Sequence, residues 1–194
     1  MTEKEKAAKG LLYDANYDAT ILGDREQAKE ICYDYNMTRP SQKTERDTII
    51  RKLIGKVGKQ CIIEPPFACD YGYNIEIGDN FFANNNCIIL DGAKVTFGNN
   101  VFVAPNCGFY TAGHPLDVEQ RINGLEYAFP IKVGNNVWIG AHVAVMPGVT
   151  IGDNSVIGAG SVVNKDIPAG VIAVGNPCKV IREITEADKD RYGK

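Results

Sequence analysis

The segment Val133-Gly-Asn-Asn-Val-Trp-Ile139-Gly-Ala-His-Val-Ala-Val145-Met-Pro-Gly-Val-Thr-Ile151-Gly-Asp-Asn-Ser-Val-Ile157-Gly-Ala-Gly-Ser-Val-Val163 returns an aliphatic residue at every sixth position. A period of six matches neither the alternation of a strand nor the face of a helix. Each hexad is therefore one short strand plus a turn, and three hexads make one coil. The fourth residue after each aliphatic is small or β-branched at Val137, Val143, Val149, Ser155 and Ser161, as a narrow prism requires. Glycines such as Gly78, Gly98, Gly134, Gly140, Gly152 and Gly158 are expected at its tight corners.

The beat extends backwards through three triplets: Val57, Ile63, Cys69; Ile77, Ala83, Ile89; and Phe97, Val103, Phe109. These triplets start twenty residues apart, whereas Val133 and Ile151 are eighteen apart, so two-residue insertions are expected at about Tyr71 to Ile75 and Gly92 to Val95. One coil cannot bury its own apolar face; stacked coils can, at about 4.8 Å per parallel strand, so five coils would stand about 24 Å tall.

The flanks differ in kind. Residues 1–55 mix charged and apolar residues with helical spacing over Asp24 to Tyr35 and Ser41 to Ile54, with Ser41 as a candidate cap and Ile49, Ile50, Leu53 and Ile54 as an apolar stripe. This stripe is expected to cover the open first coil, whose strand edges would otherwise template aggregation. Residues 56–180 form the coils, and the polar tail 181–194 reads as a short helix beginning near Thr185, Glu186 and Asp188. The expected architecture is a mainly β parallel β-helix with helical segments at both ends.

Composition narrows the function. A net charge of −3 supplies no basic field for nucleic acid. No apolar run approaches the ~18 residues of a membrane span. The charged start from Met1 to Lys9 has no apolar core behind it, so a cytoplasmic setting is expected. Cys61, Cys87 and Cys107 fall four residues after a corner and Cys69 at one, so they read as buried packing thiols. With two histidines, far apart in the repeat, an intersubunit zinc site needing three is not expected, and no metal is assigned.

Between Phe109 and Val133 the beat is lost for twenty-four residues, read as one coil plus a six-residue excess. The stretch at about 110–132, from Tyr110-Thr-Ala-Gly-His114-Pro through Arg121, Asn123, Glu126 and Tyr127, is an excursion from a rigid scaffold, where function concentrates. His114 precedes Pro115, which restricts its backbone. An imidazole there could accept a proton from a hydroxyl at neutral pH, or could make a structural hydrogen bond. Glu126 could hold the tautomer of His114 or be a solvated acid, and Tyr127 could pack the loop. His142 lies inside an unbroken coil and reads as structural.

The segments Cys69-Asp-Tyr-Gly-Tyr-Asn-Ile, Asn80-Phe-Phe-Ala-Asn, Thr111-Ala-Gly-His-Pro, Gly134-Asn-Asn-Val-Trp-Ile-Gly, Ile151-Gly-Asp-Asn-Ser-Val-Ile-Gly-Ala-Gly-Ser and Asn176-Pro-Cys-Lys-Val-Ile-Arg, with Gly10-Leu-Leu-Tyr-Asp14, resemble the maltose and galactoside O-acetyltransferases of the hexapeptide-repeat superfamily over essentially the whole chain. The resemblance implies a left-handed β-helix, an exception to the usual right-handed crossover, assembled as a homotrimer with sites between subunits. It implies transfer of acetyl from acetyl-CoA to a sugar hydroxyl, with His114 as general base and the Ala141 backbone N–H on the oxyanion.

Acceptor positions carried over by this resemblance are Asp14, Asp70 and Asn84, with Glu126 as a further loop candidate. Serine at Asp70 and aspartate at Gly92 mark the galactoside branch, so this chain leans to the maltose type. Cofactor positions are Trp138, Ala141, Ala159, Asn164, Lys165, Lys179 and Arg182, with the last cations directed at phosphates. A different acceptor, such as serine, an antibiotic or a nucleotide-linked amino sugar, and a non-catalytic trimeric scaffold remain the alternatives.

Overall fold

Every aliphatic residue of the six-beat sits on a strand of two to four residues, and the strands of successive turns pair in parallel and in register. Three flat faces result. The first aligns Val57, Ile77, Phe97, Val133 and Ile151, and a further bridge joins Ile151 to Ile167. On the second, Ile63, Ala83, Val103, Ile139, Ile157 and Ala173 align. The third aligns Cys69, Ile89, Phe109, Val145 and Val163. The computed structural model, which describes residues 1–191, is thus a left-handed β-helix of about six turns.

The interior is a column of these side chains, filled at its wide end by Phe81, Phe97 and Phe109, whose ring centroids follow one another at 5.0 and 4.9 Å. Ser155 and Ser161 are buried in the narrow end, where each hydroxyl donates to a backbone carbonyl, of Pro168 and Gly158 respectively. Five of the six cysteines are buried; Cys61, in the first turn, is half-buried because only helices lie below it.

Several expectations need correction. There are about six turns, not five, because the corner after Val163 is two residues short and Ile167 starts a further turn. Phe97 pairs directly with Val133, so no coil is missing after Phe109 and the whole excursion replaces one corner. The left-handed conformation at the corners falls not to the glycines named above but mostly to asparagines, Asn80, Asn100, Asn136 and Asn154 on one edge and Asn86 and Asn106 on another, with Gly170 and Gly160 continuing those two edges. The asparagine side-chain amides bond up the stack at 2.8–2.9 Å. The glycines after the aliphatic residues serve close approach instead, since a Cβ on Gly78 would lie 2.5 Å from the carbonyl oxygen of Gly98 in the next turn.

Helix α1 (Glu3–Ala8) was not expected; Thr2 and Glu5 form its capping box. Helices α2 (Ala19–Met37) and α3 (Lys43–Leu53) cover the first turn, with Ile50 and Leu53 buried and Asn36 exchanging two hydrogen bonds with the backbone of Phe67. Ser41 does not cap α3; Gln42 precedes it without a side-chain cap bond. In the tail, Lys179–Glu183 is a strand antiparallel to Val171–Val174, because that last strand edge needs a partner. Helical geometry is limited to a 3₁₀ turn at Glu186–Asp190, and residues 192–194 of the expected tail helix lie outside the described residues.

Candidate active site

The excursion folds back as a hairpin of Ala112–Gly113 against Leu125–Ala128, with helix α4 (Val118–Ile122) at its tip. Tyr13–Asp14 adds a third strand against Leu125–Ala128, so the N-terminal segment and the loop form one small antiparallel sheet. Strand alternation sends Tyr13, Glu126, Ala128 and Ala112 to one side of it. Gly92 lies under that side, where a Cβ would stand 2.9 Å from the Tyr13 hydroxyl.

His114 follows directly, half exposed. Its Nδ1 lies 3.1 Å from the carbonyl oxygen of Leu125. A carbonyl only accepts, so Nδ1 carries the proton and Nε2 keeps its lone pair. Glu126 Oε1 is 3.9 Å from Nε2, and its carboxylate accepts from the Tyr13 hydroxyl at 3.2 Å and the Asn16 amide at 3.5 Å. The tautomer of His114 is therefore held by Leu125 and not, as one sequence reading had it, by Glu126.

Asp70 sits at the corner between the third and first faces, largely buried. Burial raises its pKa, and Arg25, with Nε 3.7 Å from Asp70 Oδ1, pulls the other way. Arg25 also donates to the Tyr71 hydroxyl at 3.0 Å, and burial pushes that phenol up to about 12. Arg25 was missed by sequence reading, yet it lies in line with Ile21, Ala28, Cys32 and Tyr35, the buried stripe of α2, where a lone charge is a signal. Asp14 is a turn residue whose Oδ1 accepts the N–H groups of Asn16 and Tyr17, on a strand beside Leu125.

The other candidates lie elsewhere. Asn84, Ala141 and Ala159 follow the strands of the second face, at the corner leading to the third. His142 is there too, in the left-handed conformation with Nε2 3.4 Å from the Asn106 amide, at the end of that asparagine ladder. Trp138 stands outward on the second face, in register with Phe82, Phe102, Val156 and Ile172. Asn164 and Lys165 occupy the short corner after Val163, and Lys179 and Arg182 the antiparallel edge strand. Both Nη atoms of Arg182 reach Asp188, at 2.7 and 2.6 Å, and hold that carboxyl below its usual range. One chain thus brings His114, Glu126 and Asp70 to one prism edge and puts Asn84, Ala141 and Ala159 on another. Tyr127 stacks on Phe129 at 5.1 Å and packs the loop. Among the described residues no group of three or more His, Cys, Asp or Glu could hold a metal, and no helix is long and apolar enough to cross a membrane.

A six-beat β-helix with one histidine-bearing excursion is the architecture of a hexapeptide acyl-transfer protein, and the comparisons agree. Residues 6–58 match the maltose acetyltransferase hexapeptide capping motif, and residues 130–165 match the bacterial transferase hexapeptide of six repeats. A Saccharomyces cerevisiae relative, described in general terms as an acetyltransferase, is 59% identical over 95% of this chain and 94% of its own. A maltose O-acetyltransferase from Clostridium difficile 630 superposes with a TM-score of 0.93 at 53% identity, covering 96% of this chain and 99% of that one. A galactoside acetyltransferase solved in complex with coenzyme A gives 0.95 at 47% identity, over 100% and 96%. The chain belongs to the maltose and galactoside O-acetyltransferase family of hexapeptide-repeat acetyltransferases.

Proposed function

We propose that this protein transfers the acetyl group of acetyl-CoA to a hydroxyl of a glucose- or maltose-type sugar, with His114 as general base. The observation that carries the reading is the Leu125 carbonyl on Nδ1 of His114, which leaves the basic Nε2 of this half-exposed ring 3.9 Å from Glu126. Nε2 takes the proton of the sugar hydroxyl as its oxygen attacks the thioester carbon. The C–S bond breaks as the tetrahedral intermediate collapses, and the imidazolium returns the proton to the departing thiolate. Flanking N–H groups of Gly140 and His142 are committed to the Ile157 and Pro105 carbonyls, so the Ala141 N–H is the oxyanion donor in this reading. No acyl-enzyme is needed, because the thioester is already activated and the buried thiols serve packing.

The two prism edges meet when copies assemble. In a homotrimer the edge bearing His114, Asp70 and Glu126 of one copy faces the Asn84, Ala141 and Ala159 edge of the next, and the apolar second face becomes interior. Asp14, Asp70 and Asn84 then bind the acceptor. Trp138, Ala141, Ala159, Asn164, Lys165, Lys179 and Arg182 line the coenzyme A path, with Arg182 contributing jointly with its Asp188 partner. Support comes from relatives named for maltose and galactoside acetylation and from a neighbour solved with coenzyme A.

The test is release of free thiol from acetyl-CoA with glucose, maltose, a galactoside and serine as acceptors. Acceleration by a sugar is expected. If serine alone accelerated release, or if no acceptor did, the sugar reading would be lost.

A further inference from the structure

Among the described residues only four polar or charged side chains are fully buried, and two of them, Asp91 and Thr111, lie directly under the candidate site. Tyr71, Asp91 and Thr111 follow one another at intervals of twenty residues at the corner between the third and first faces. Asp91 Oδ1 accepts the N–H groups of Asp70 at 3.1 Å and Tyr71 at 2.9 Å, and Oδ2 that of Asn74 at 3.3 Å. The Asn74 amide returns a bond to the Asp91 carbonyl at 2.7 Å. One turn on, Thr111 Oγ1 accepts from the Ala93 N–H at 2.9 Å and donates to the Leu90 carbonyl at 2.7 Å. The Thr111 carbonyl accepts from Phe129 N–H at 2.9 Å, tying together the two ends of the excursion.

The proposed acceptor ligand Asp70 and the proposed base His114 are forty-four residues apart and sit in different turns. The third-face strands align both turns, but what fixes the corner of each is this buried chain of bonds. Buried polar groups are costly unless satisfied, and once satisfied they hold one geometry. An error of about 1 Å between reacting groups costs on the order of 10² in rate.

We infer that Asp91 and Thr111 are positioning residues that set Asp70 in register with His114, so that acceptor binding and proton removal stay aligned. This rests on the site reading above. Asp91→Asn turns an acceptor into an amide donor toward the Asn74 N–H and loosens the 70–74 corner. Thr111→Val keeps the shape and removes the hydroxyl, whereas Thr111→Ser keeps the hydroxyl.

The experiment measures steady-state kinetics on the full-length assembly, with acetyl-CoA and whichever of glucose, maltose or isopropyl thiogalactoside turns over, alongside amide hydrogen exchange of residues 70–74 and 112–114. Asp91→Asn and Thr111→Val are expected to raise the acceptor KM at least about tenfold, leave the acetyl-CoA KM within about twofold, and speed exchange in both segments; Thr111→Ser should restore wild-type values. Unchanged acceptor KM in folded Thr111→Val, equal rises for both substrates, identical behaviour of Thr111→Val and Thr111→Ser, or faster exchange in one segment only would overturn the inference. Exchange is readable without any acceptor, so the coupling is tested even if none turns over. His114→Ala serves as the separate control: retained turnover there defeats the site reading itself, whereas its loss with unaltered Asp91 and Thr111 variants defeats only this inference.

Discussion

Nδ1 of His114 lies 3.1 Å from the carbonyl oxygen of Leu125, a residue eleven positions further along the chain and across the excursion hairpin. The bond selects one tautomer without spending a side chain on it. It leaves Glu126 free to face Nε2, the atom that would take the substrate proton.

His114→Ala should therefore remove turnover without disturbing the fold, because the ring is half exposed and its loss opens no core cavity. We expect kcat to fall by roughly 10²–10⁴, with an unchanged thermal midpoint. A fall below tenfold in thiol-release assays would contradict the assignment.

Asp91 makes stability depend on pH. Burial raises its pKa from 3.8 to about 6, against the opposing pull of the backbone N–H groups it accepts. The folded state therefore holds this proton more tightly than the unfolded chain, so the contribution of this group is largest below about pH 4 and declines as pH rises to about 6. The difference in unfolding free energy between wild type and Asp91→Asn should shrink over that window by on the order of 2–3 kcal/mol. Urea titrations at closely spaced pH values check it; a flat difference would refute it.

Trp138, Phe102 and Ile62 are each exposed by about half on the second face of an isolated chain, in one row with Phe82 between Ile62 and Phe102. The first face instead presents Lys56, Glu76, Thr96, Lys132 and Thr150. Such an apolar row beside a polar face is the surface that the proposed assembly would cover. If the chain assembles as the homotrimer proposed above, Phe102→Asp is expected to shift it from trimer to monomer in sedimentation velocity, and to abolish turnover with it because each site would then draw on two copies. A monomeric variant with full activity would contradict the shared site.

Asn136 combines a left-handed backbone, φ 57°, with side-chain bonds to Asn100 and Asn154. Alanine loses the ladder and strains the backbone; glycine loses only the ladder. Asn136→Ala should thus be more destabilising than Asn136→Gly, by about 1 kcal/mol, the reverse of the usual order in helices and strands. Chemical denaturation midpoints of the two variants decide it.

The tail and the corners show how far local pattern reaches. A turn does begin at Thr185, whose N–H donates to the Asp188 carboxylate at 2.9 Å, yet that turn spans only Glu186–Asp190. The preceding Lys179–Glu183 is drawn into a strand by an exposed edge that no local propensity encodes. Likewise, glycine after the aliphatic residue is plain in the chain, but that its purpose is clearance from the next turn, with asparagine taking the left-handed corner, depends on the stacking distance.

What the sequence alone determined is the prism: a six-residue beat is a local property, repeated often enough that stacking in register is the one arrangement that buries every aliphatic residue. The loss of that beat after Phe109 likewise located His114. Only the tertiary structure decided which partners surround it, because the Leu125 carbonyl, the Tyr13 strand, the Arg25–Asp70 pair and the Asp91–Thr111 chain of bonds join segments far apart in sequence. Hydrogen bonds and ion pairs act over a few ångströms of space and carry no period along the chain, so they become visible only once the coils are stacked.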